Sequence, residues 1–162
     1  MIMIDEVHNL LAGTHREQRR FLNVLRYLSN ELEASLVCFG VSEAVDAIVD
    51  LEYTSLEIDI HEDGNHLRPS VVAANMDAAM TACRNTHRAS VVSYSVQINA
   101  EGEEHYRQFA ACCRLAKATK VVTLTVPSGE LGTPFNQEVE HLQRLVTLAE
   151  ADGVRVAIKS QI

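Results

Sequence analysis

The sequence predicts an α/β protein built on a parallel sheet, and three observations support this. Six short apolar runs alternate with five helical stretches at a spacing of roughly 20–35 residues, the pattern of parallel strands carrying helices. Four successive runs alternate apolar with polar residues, so each strand offers one face to helices and one polar face. No low-complexity segment or linker interrupts the 162 residues, which are 47% hydrophobic and 22% charged; that is enough to bury a core of ordinary size.

Met1 to Asp5 is an apolar run ending in acids and reads as a buried strand. Because domains rarely open inside a core strand, it reads as an internal start. Thr14 is placed to cap a helix, with Glu17 three residues on completing a capping box. That helix is predicted to reach about Glu33, with Phe21, Leu22, Leu25, Leu28 and Leu32 on its apolar face. Ser35–Phe39 reads as a strand, and a helix follows from a Ser42 cap to about Leu51. Ser55–Ile60 is the third strand. Pro69 opens an Ala-rich helix to about Thr86. Strand Ala89–Val96, helix Glu103–Ala118 and strand Lys120–Val126 come next. Helix Asn136–Asp152 is closed by Gly153 as its C′ residue, before the last strand, Val154–Lys159.

The polar faces carry Glu57, Asp59 and His61, then Ser93, Ser95 and Gln97, then Thr123 and Thr125, then Arg155, Lys159 and Gln161. Polar side chains gathered toward strand C-terminal ends are what a (β/α)8 barrel site requires, and that barrel closes with eight strands. Six are predicted here, so the expected fold is a partial TIM-barrel-like sheet of six parallel strands and five helices. Its outer strands would expose unpaired backbone groups, and the expectation is marginal solubility, homo-oligomerisation (dimerisation) through those edges, or an open sheet.

The net charge of −8 argues against general affinity for nucleic acid or an anionic membrane. A basic cluster, His15, Arg16, Arg19, Arg20 and Arg26, stands apart in the first helix. Cys38, Cys83, Cys112 and Cys113 lack CxxC spacing and read as reduced thiols of a cytoplasmic protein. No apolar run approaches the roughly 18 residues of a membrane span, and the N-terminus lacks signal-peptide regions.

Glu57, Asp59, His61, Glu62, Asp63 and His66 form the densest group of potential ligands. Such oxygen and imidazole donors suit Mg²⁺, Mn²⁺ or Zn²⁺; a solvated loop after a strand is the other reading. His87, His105 and His141 lie on or at the ends of helices and read as surface residues. Lys159 suits a buried base or Schiff-base former, or an ion pair with Glu57. The turn Ser128–Thr133 holds two glycines at a strand end and is a candidate phosphate contact, or an ordinary loop.

MIMIDEVHNLLAGTHREQRRFLNVLRYLSNEL has the form of a Walker B strand and the helix after it. It resembles that part of the TniB-type AAA+ ATPases of transposition systems, and SLVCFGVSEA is similar to their sensor-1 strand. The resemblance implies that Asp5 holds Mg²⁺ and that Glu6 is the catalytic acid in ATP hydrolysis. No GxxxxGK[ST] occurs in the sequence, so ATP–Mg binding and hydrolysis are not expected.

EAVDAIVDLEYTSLEIDIHEDGNHLRPS and the stretch from EEHYRQFAACCRL to AIKSQI resemble the sugar phosphate isomerase/epimerase family. That family has the xylose isomerase-like, AP endonuclease 2-type TIM barrel. The resemblance implies a divalent metal (Mn, Mg or Zn) and a sugar or sugar phosphate substrate. Glu57 falls at that family's strand-2 Glu position; the candidate sites are Glu57, Asp59 and His61 as metal ligands, Glu57 and Lys159 as catalytic residues, and Asp59, His61 and Gln97 as substrate-binding residues. Lys159 stands where the family has a metal-ligating acid. The two resemblances divide the chain into a TniB-like fragment, 1–44, and the N-terminal part of an isomerase-like barrel, 45–162. The reading that follows is a truncated or fused barrel, inactive alone; a TniB-derived accessory fragment acting through protein or DNA contacts is the alternative.

Overall fold

A computed structural model describes residues 2–4, 14–31, 36–38, 55–64, 67–84, 90–129 and 132–159. The chain divides into two compact units, Met1–Glu57 with Thr86–Ser90, and Ile58–Asn85 with Val91–Ile162. In the first, β1 (Ile2–Ile4) pairs in parallel with β2 (Leu36–Cys38), Met3 lying opposite Val37. Between them in sequence runs α1 (His15–Glu31).

The predicted capping box of α1 is present. Thr14 N–H donates to Glu17 Oε2 at 2.9 Å, and Glu17 N–H donates back to Thr14 Oγ1 at 3.4 Å. The Thr14 hydroxyl donates to the same carboxylate at 2.7 Å. These hydrogen bonds favour the carboxylate form and lower the Glu17 pKa. Phe21, expected on the apolar face, is 41% exposed, and Val24 and Tyr27 are exposed too. The predicted helix from Ser42 lies outside the described residues.

The second sheet has the order β3-β4-β5-β6: β3 (Ser55–His61), β4 (Ser90–Gln97), β5 (Thr123–Pro127) and β6 (Arg155–Lys159). One sheet of six strands was the expectation; among the described residues the parallel sheet has four, and β1 and β2 pair with each other. Tyr94, Leu124 and Val156 form one row across β4, β5 and β6, and Ser95, Thr125 and Ala157 form the next. The rows alternate as the pleat demands. Tyr94 and Leu124 are fully buried, whereas Ser95 and Thr125 on the opposite face are only half-buried.

The helices are α2 (Pro69–Ala74), α3 (Met76–Arg84), α4 (Gly102–Thr119) and α5 (Phe135–Ala151). The single helix predicted from Pro69 is split at Asn75, whose backbone leaves the helical region at φ −145° and ψ 87°. Its side-chain oxygen accepts from Ala78 N–H at 3.0 Å, so Asn75 ends α2 and caps α3. Asparagine competes with the helix for backbone donors in this way.

Helices α4 and α5 each end in a Schellman turn. At α5, Val154 N–H donates to Ala149 O and Gly153 N–H to Glu150 O, both at 3.0 Å, with Gly153 at φ 72° as predicted. At α4, Val121 N–H donates to Ala116 O at 2.8 Å and Lys120 N–H to Lys117 O at 3.2 Å. Here the left-handed residue is Lys120, at φ 62°.

The core lies between the apolar sheet face and the helices. From α4 it takes Phe109, Ala111, Cys112, Cys113, Leu115 and Ala116. The Tyr94 hydroxyl is sequestered there, donating to Cys83 Sγ at 3.2 Å and lying 2.8 Å from Thr119 Oγ1. Burial raises the pKa of Tyr94, Cys83 and Cys112, and pushes the Cys113 thiol up to about 12. Among the described residues no helix is long and apolar enough to cross a membrane.

The Lys120→Gly variant is expected to gain about 0.5–1 kcal/mol in urea unfolding, since a left-handed non-glycine residue costs about 1–2 kcal/mol and glycine's unfolded-state entropy returns part of it. Leu124→Ala is expected to lose about 2–5 kcal/mol in the same measurement, by lost burial and a cavity.

Candidate functional site

Glu57, Asp59 and His61 alternate with Ile58 and Ile60 along β3. Ile58 and Ile60 are buried; Glu57 and His61 are half-buried and Asp59 is exposed. The period of two therefore puts the three polar residues on the face away from the core. Beyond the strand, His61 Nε2 lies 3.7 Å from Asp63 Oδ2, and Asn99 Nδ2 donates to the same oxygen at 3.5 Å. Glu62 serves the backbone instead. Its carboxylate accepts Ser70 N–H at 2.7 Å and Ser70 Oγ–H at 2.9 Å, fixing the first turn of α2.

Among the described residues no three His, Cys, Asp or Glu side chains are placed to hold a metal ion. Glu57, Asp59 and His61 thus do not form the ligand set that the sequence suggested. They are strung along one extended strand, where same-face neighbours stand about 6.5–7 Å apart. His66, Asp5 and Glu6 lie outside the described residues. Lys159 is exposed at the end of β6, and its carbonyl accepts Ser128 N–H at 2.9 Å. Glu57 and Lys159 belong to the two outer strands of the sheet.

A pocket of about 480 Å³ opens at the C-terminal ends of β4 and β5, lined from α4 by His105 and Phe109 and from α5 by His141 and Leu145. Val96, Phe109, Val126 and Leu145 make an apolar floor, and Gln97, Asn99, Ser128, His105 and His141 supply polar walls. Of the predicted catalytic, metal and substrate-binding residues that the structure describes, Gln97 alone lines it. The Ser128–Thr133 turn contributes Ser128 and Gly129. Gly129 N–H donates to Glu138 Oε1 at 2.8 Å, tying this loop to α5.

His105 and His141, read from sequence as surface residues, are half-buried in this pocket with ring centroids 5.0 Å apart. His105 Nδ1 lies 3.2 Å from Ala100 O. A carbonyl only accepts, so Nδ1 carries the hydrogen and Nε2 holds the lone pair of the neutral ring. His141 Nδ1 lies 3.1 Å from the Tyr106 hydroxyl. Over the Tyr106 ring, at 3.6 Å, sits the Arg144 guanidinium, which also donates to Glu103 Oε2 at 2.7 Å. Arg144 lowers the Glu103 pKa, and Arg107 with Gln108 holds Glu104 down at about 2.

A periodicity signal for the two histidines was present. His105 precedes buried Phe109 by four residues and buried Cys112 by seven, and His141 precedes buried Leu145 by four. Both therefore extend core-facing stripes, which a count of apolar residues alone does not reveal.

Residues 1–53 match the family model described as Bacterial TniB protein, about a third of the chain. Among solved structures, the crystal structure of a xylose isomerase domain protein from Planctomyces limnophilus is similar, with a TM-score of 0.52 and 14% identity. The similarity covers 74% of this chain and 48% of that one, so this chain spans about half its length. At that identity the likeness establishes fold alone. No curated protein matches the sequence.

His105 gives this site a pH dependence. Burial, reinforced by nearby His141, lowers its pKa from 6.5, against an upward pull from the Ala100 carbonyl. Below about pH 6.5 the unfolded chain binds the proton more readily, so the stabilisation present at higher pH is lost as pH falls toward the folded value. Urea unfolding between pH 7.5 and 5 is expected to show this loss, and His105→Gln is expected to flatten it.

Proposed function

We propose that the β3–β6 unit binds a sugar or sugar phosphate in the pocket above β4 and β5, as the leading part of an isomerase/epimerase-like TIM barrel. The observation that carries this reading is the pocket itself. An apolar floor with amide, hydroxyl and imidazole groups on its walls suits a polyhydroxylated ligand. Its position at the C-terminal ends of parallel strands is where barrel enzymes bind substrate. The likeness to a xylose isomerase domain protein supports the same architecture.

In this reading Gln97 and Asn99 orient hydroxyls at the pocket wall, while Asp59, His61, Glu57 and Lys159 belong to the wider polar face of the sheet. A family-type Mn²⁺, Mg²⁺ or Zn²⁺ at Glu57, Asp59 and His61 does not fit the placement of those side chains, and no step is routed through it. The chain by itself is a binder without isomerase turnover. Its buried free thiols, Cys83, Cys112 and Cys113, favour a reducing, cytoplasmic setting. Self-association through the outer edge of β6 remains part of this reading.

Titration calorimetry with fructose 6-phosphate and with xylose tests it. Saturable binding is expected, weakened about 3–10-fold in Gln97→Ala, the worth of one hydrogen bond. No binding of either sugar refutes the assignment. Turnover in a coupled assay with Mn²⁺ added, abolished by Glu57→Gln, would overturn the absence of catalysis and place the chemistry on β3.

A second reading rests on the match at residues 1–53. Arg16, Arg19 and Arg20 are exposed on α1, and we propose that this helix makes protein or DNA contacts of the kind a transposition accessory needs. Anisotropy with a labelled duplex at 50 mM and 200 mM salt is expected to show salt-sensitive binding, lost in the triple alanine variant. Binding unchanged by those substitutions refutes it.

A further inference from the structure

We propose that His105 and His141 form a two-imidazole site for a borderline divalent cation of the Zn²⁺ class. This goes beyond the sugar reading. It shares the pocket with that reading, but is measured without any sugar, so either can fail alone.

Three observations carry it. Both rings line the same pocket from adjacent helices, with centroids 5.0 Å apart and planes at 63°. Two imidazoles sharing one tetrahedral zinc, each bound at about 2.0–2.1 Å, have centroids about 5 Å apart. Second, each Nδ1 already has a partner: the Ala100 carbonyl at 3.2 Å and the Tyr106 hydroxyl at 3.1 Å. Metal-binding histidines are characteristically held this way through the nitrogen that does not bind the metal. The Ala100 bond fixes the tautomer of His105 and leaves Nε2 with the lone pair. When His141 Nδ1–H donates to Tyr106, its Nε2 presents the second.

Third, the positive charge of Arg144, beside Tyr106, is compensated. Arg144 is engaged by Glu103 and by the Tyr106 ring, which limits its repulsion of a divalent ion. No third His, Cys, Asp or Glu is in place among the described residues, so the remaining coordination positions fall to water. The ion would sit where pocket ligands enter. Imidazole ligation favours Zn²⁺ over Mg²⁺, which prefers oxygen.

Calorimetric titration of the full chain with ZnCl2, beside MgCl2, tests this, together with histidine side-chain NMR. One equivalent of Zn²⁺ is expected to bind and Mg²⁺ to give no comparable signal. The Nε2 resonances of His105 and His141 are expected to shift. Affinity should fall more than tenfold in His105→Gln and in His141→Gln. Tyr106→Phe, which keeps the ring, should weaken it about tenfold through loss of the orienting bond. Absence of saturable uptake overturns the proposal. So does equal uptake by the two histidine variants, or shifts confined to other histidines; the unmutated chain's spectra decide this last point even if a variant misfolds.

Discussion

The main sheet depends on the close fit of α4 against its apolar face. Ala111, Cys112, Cys113, Leu115 and Ala116 are all fully buried, and all but Leu115 are small. Small residues let a helix backbone come near the strands, so that Tyr94 and Leu124 fill the space between. Once α4 is seated, its first turn is fixed over the ends of β4 and β5, and His105 with it. The pocket is thus a consequence of packing begun two turns away. The buried Tyr94 hydroxyl fits this account, because Cys83 and Thr119 bring α3 and the end of α4 into one polar contact inside an apolar layer.

The two ends of the sheet differ in chemistry. The polar side chains of β3 lie along a strand, each with its own surroundings, and the acids beyond it are engaged separately, Glu62 by Ser70 at the start of α2 and Asp63 by His61 and Asn99. The groups at β4 and β5 converge, because two helices descend there side by side and bring His105, Tyr106, His141 and Arg144 together. Proximity in sequence made the first group conspicuous; proximity in space made the second a site.

Much of the fold was legible in local signals. Thr14 with Glu17 marked a helix start, Gly153 marked a helix end, and alternation in β3 to β5 gave the buried face at Ile58, Ile60, Tyr94, Val96, Leu124 and Val126, whereas Val92, Val122 and Ile158, expected on the same apolar face, are exposed. Each is set by a few adjacent residues. What failed depended on longer range. Asn75 looked like one polar residue in an Ala-rich helix, yet its side chain outcompetes the helix for Ala78 N–H. Lys120 takes a left-handed turn that only the seating of Val121 in the core explains. The separation of β1 and β2 from the main sheet follows from pairing partners, which no strand carries in its own sequence. The histidine pair needed two helices to be adjacent before either ring acquired meaning.

The contact between Gly129 and Glu138 has a consequence for how this chain can change over generations. The Glu138 carboxylate occupies the volume that a β-carbon on residue 129 would enter, while accepting that residue's N–H. An alanine at 129 would push the carboxylate aside and release the loop from α5. Replacing the glutamate first would lift the restriction on the glycine. The coupling is soft, because the Glu138 carboxylate is the end of a flexible side chain that can turn aside; what a substitution at 129 puts at stake is the hydrogen bond tying the loop to α5.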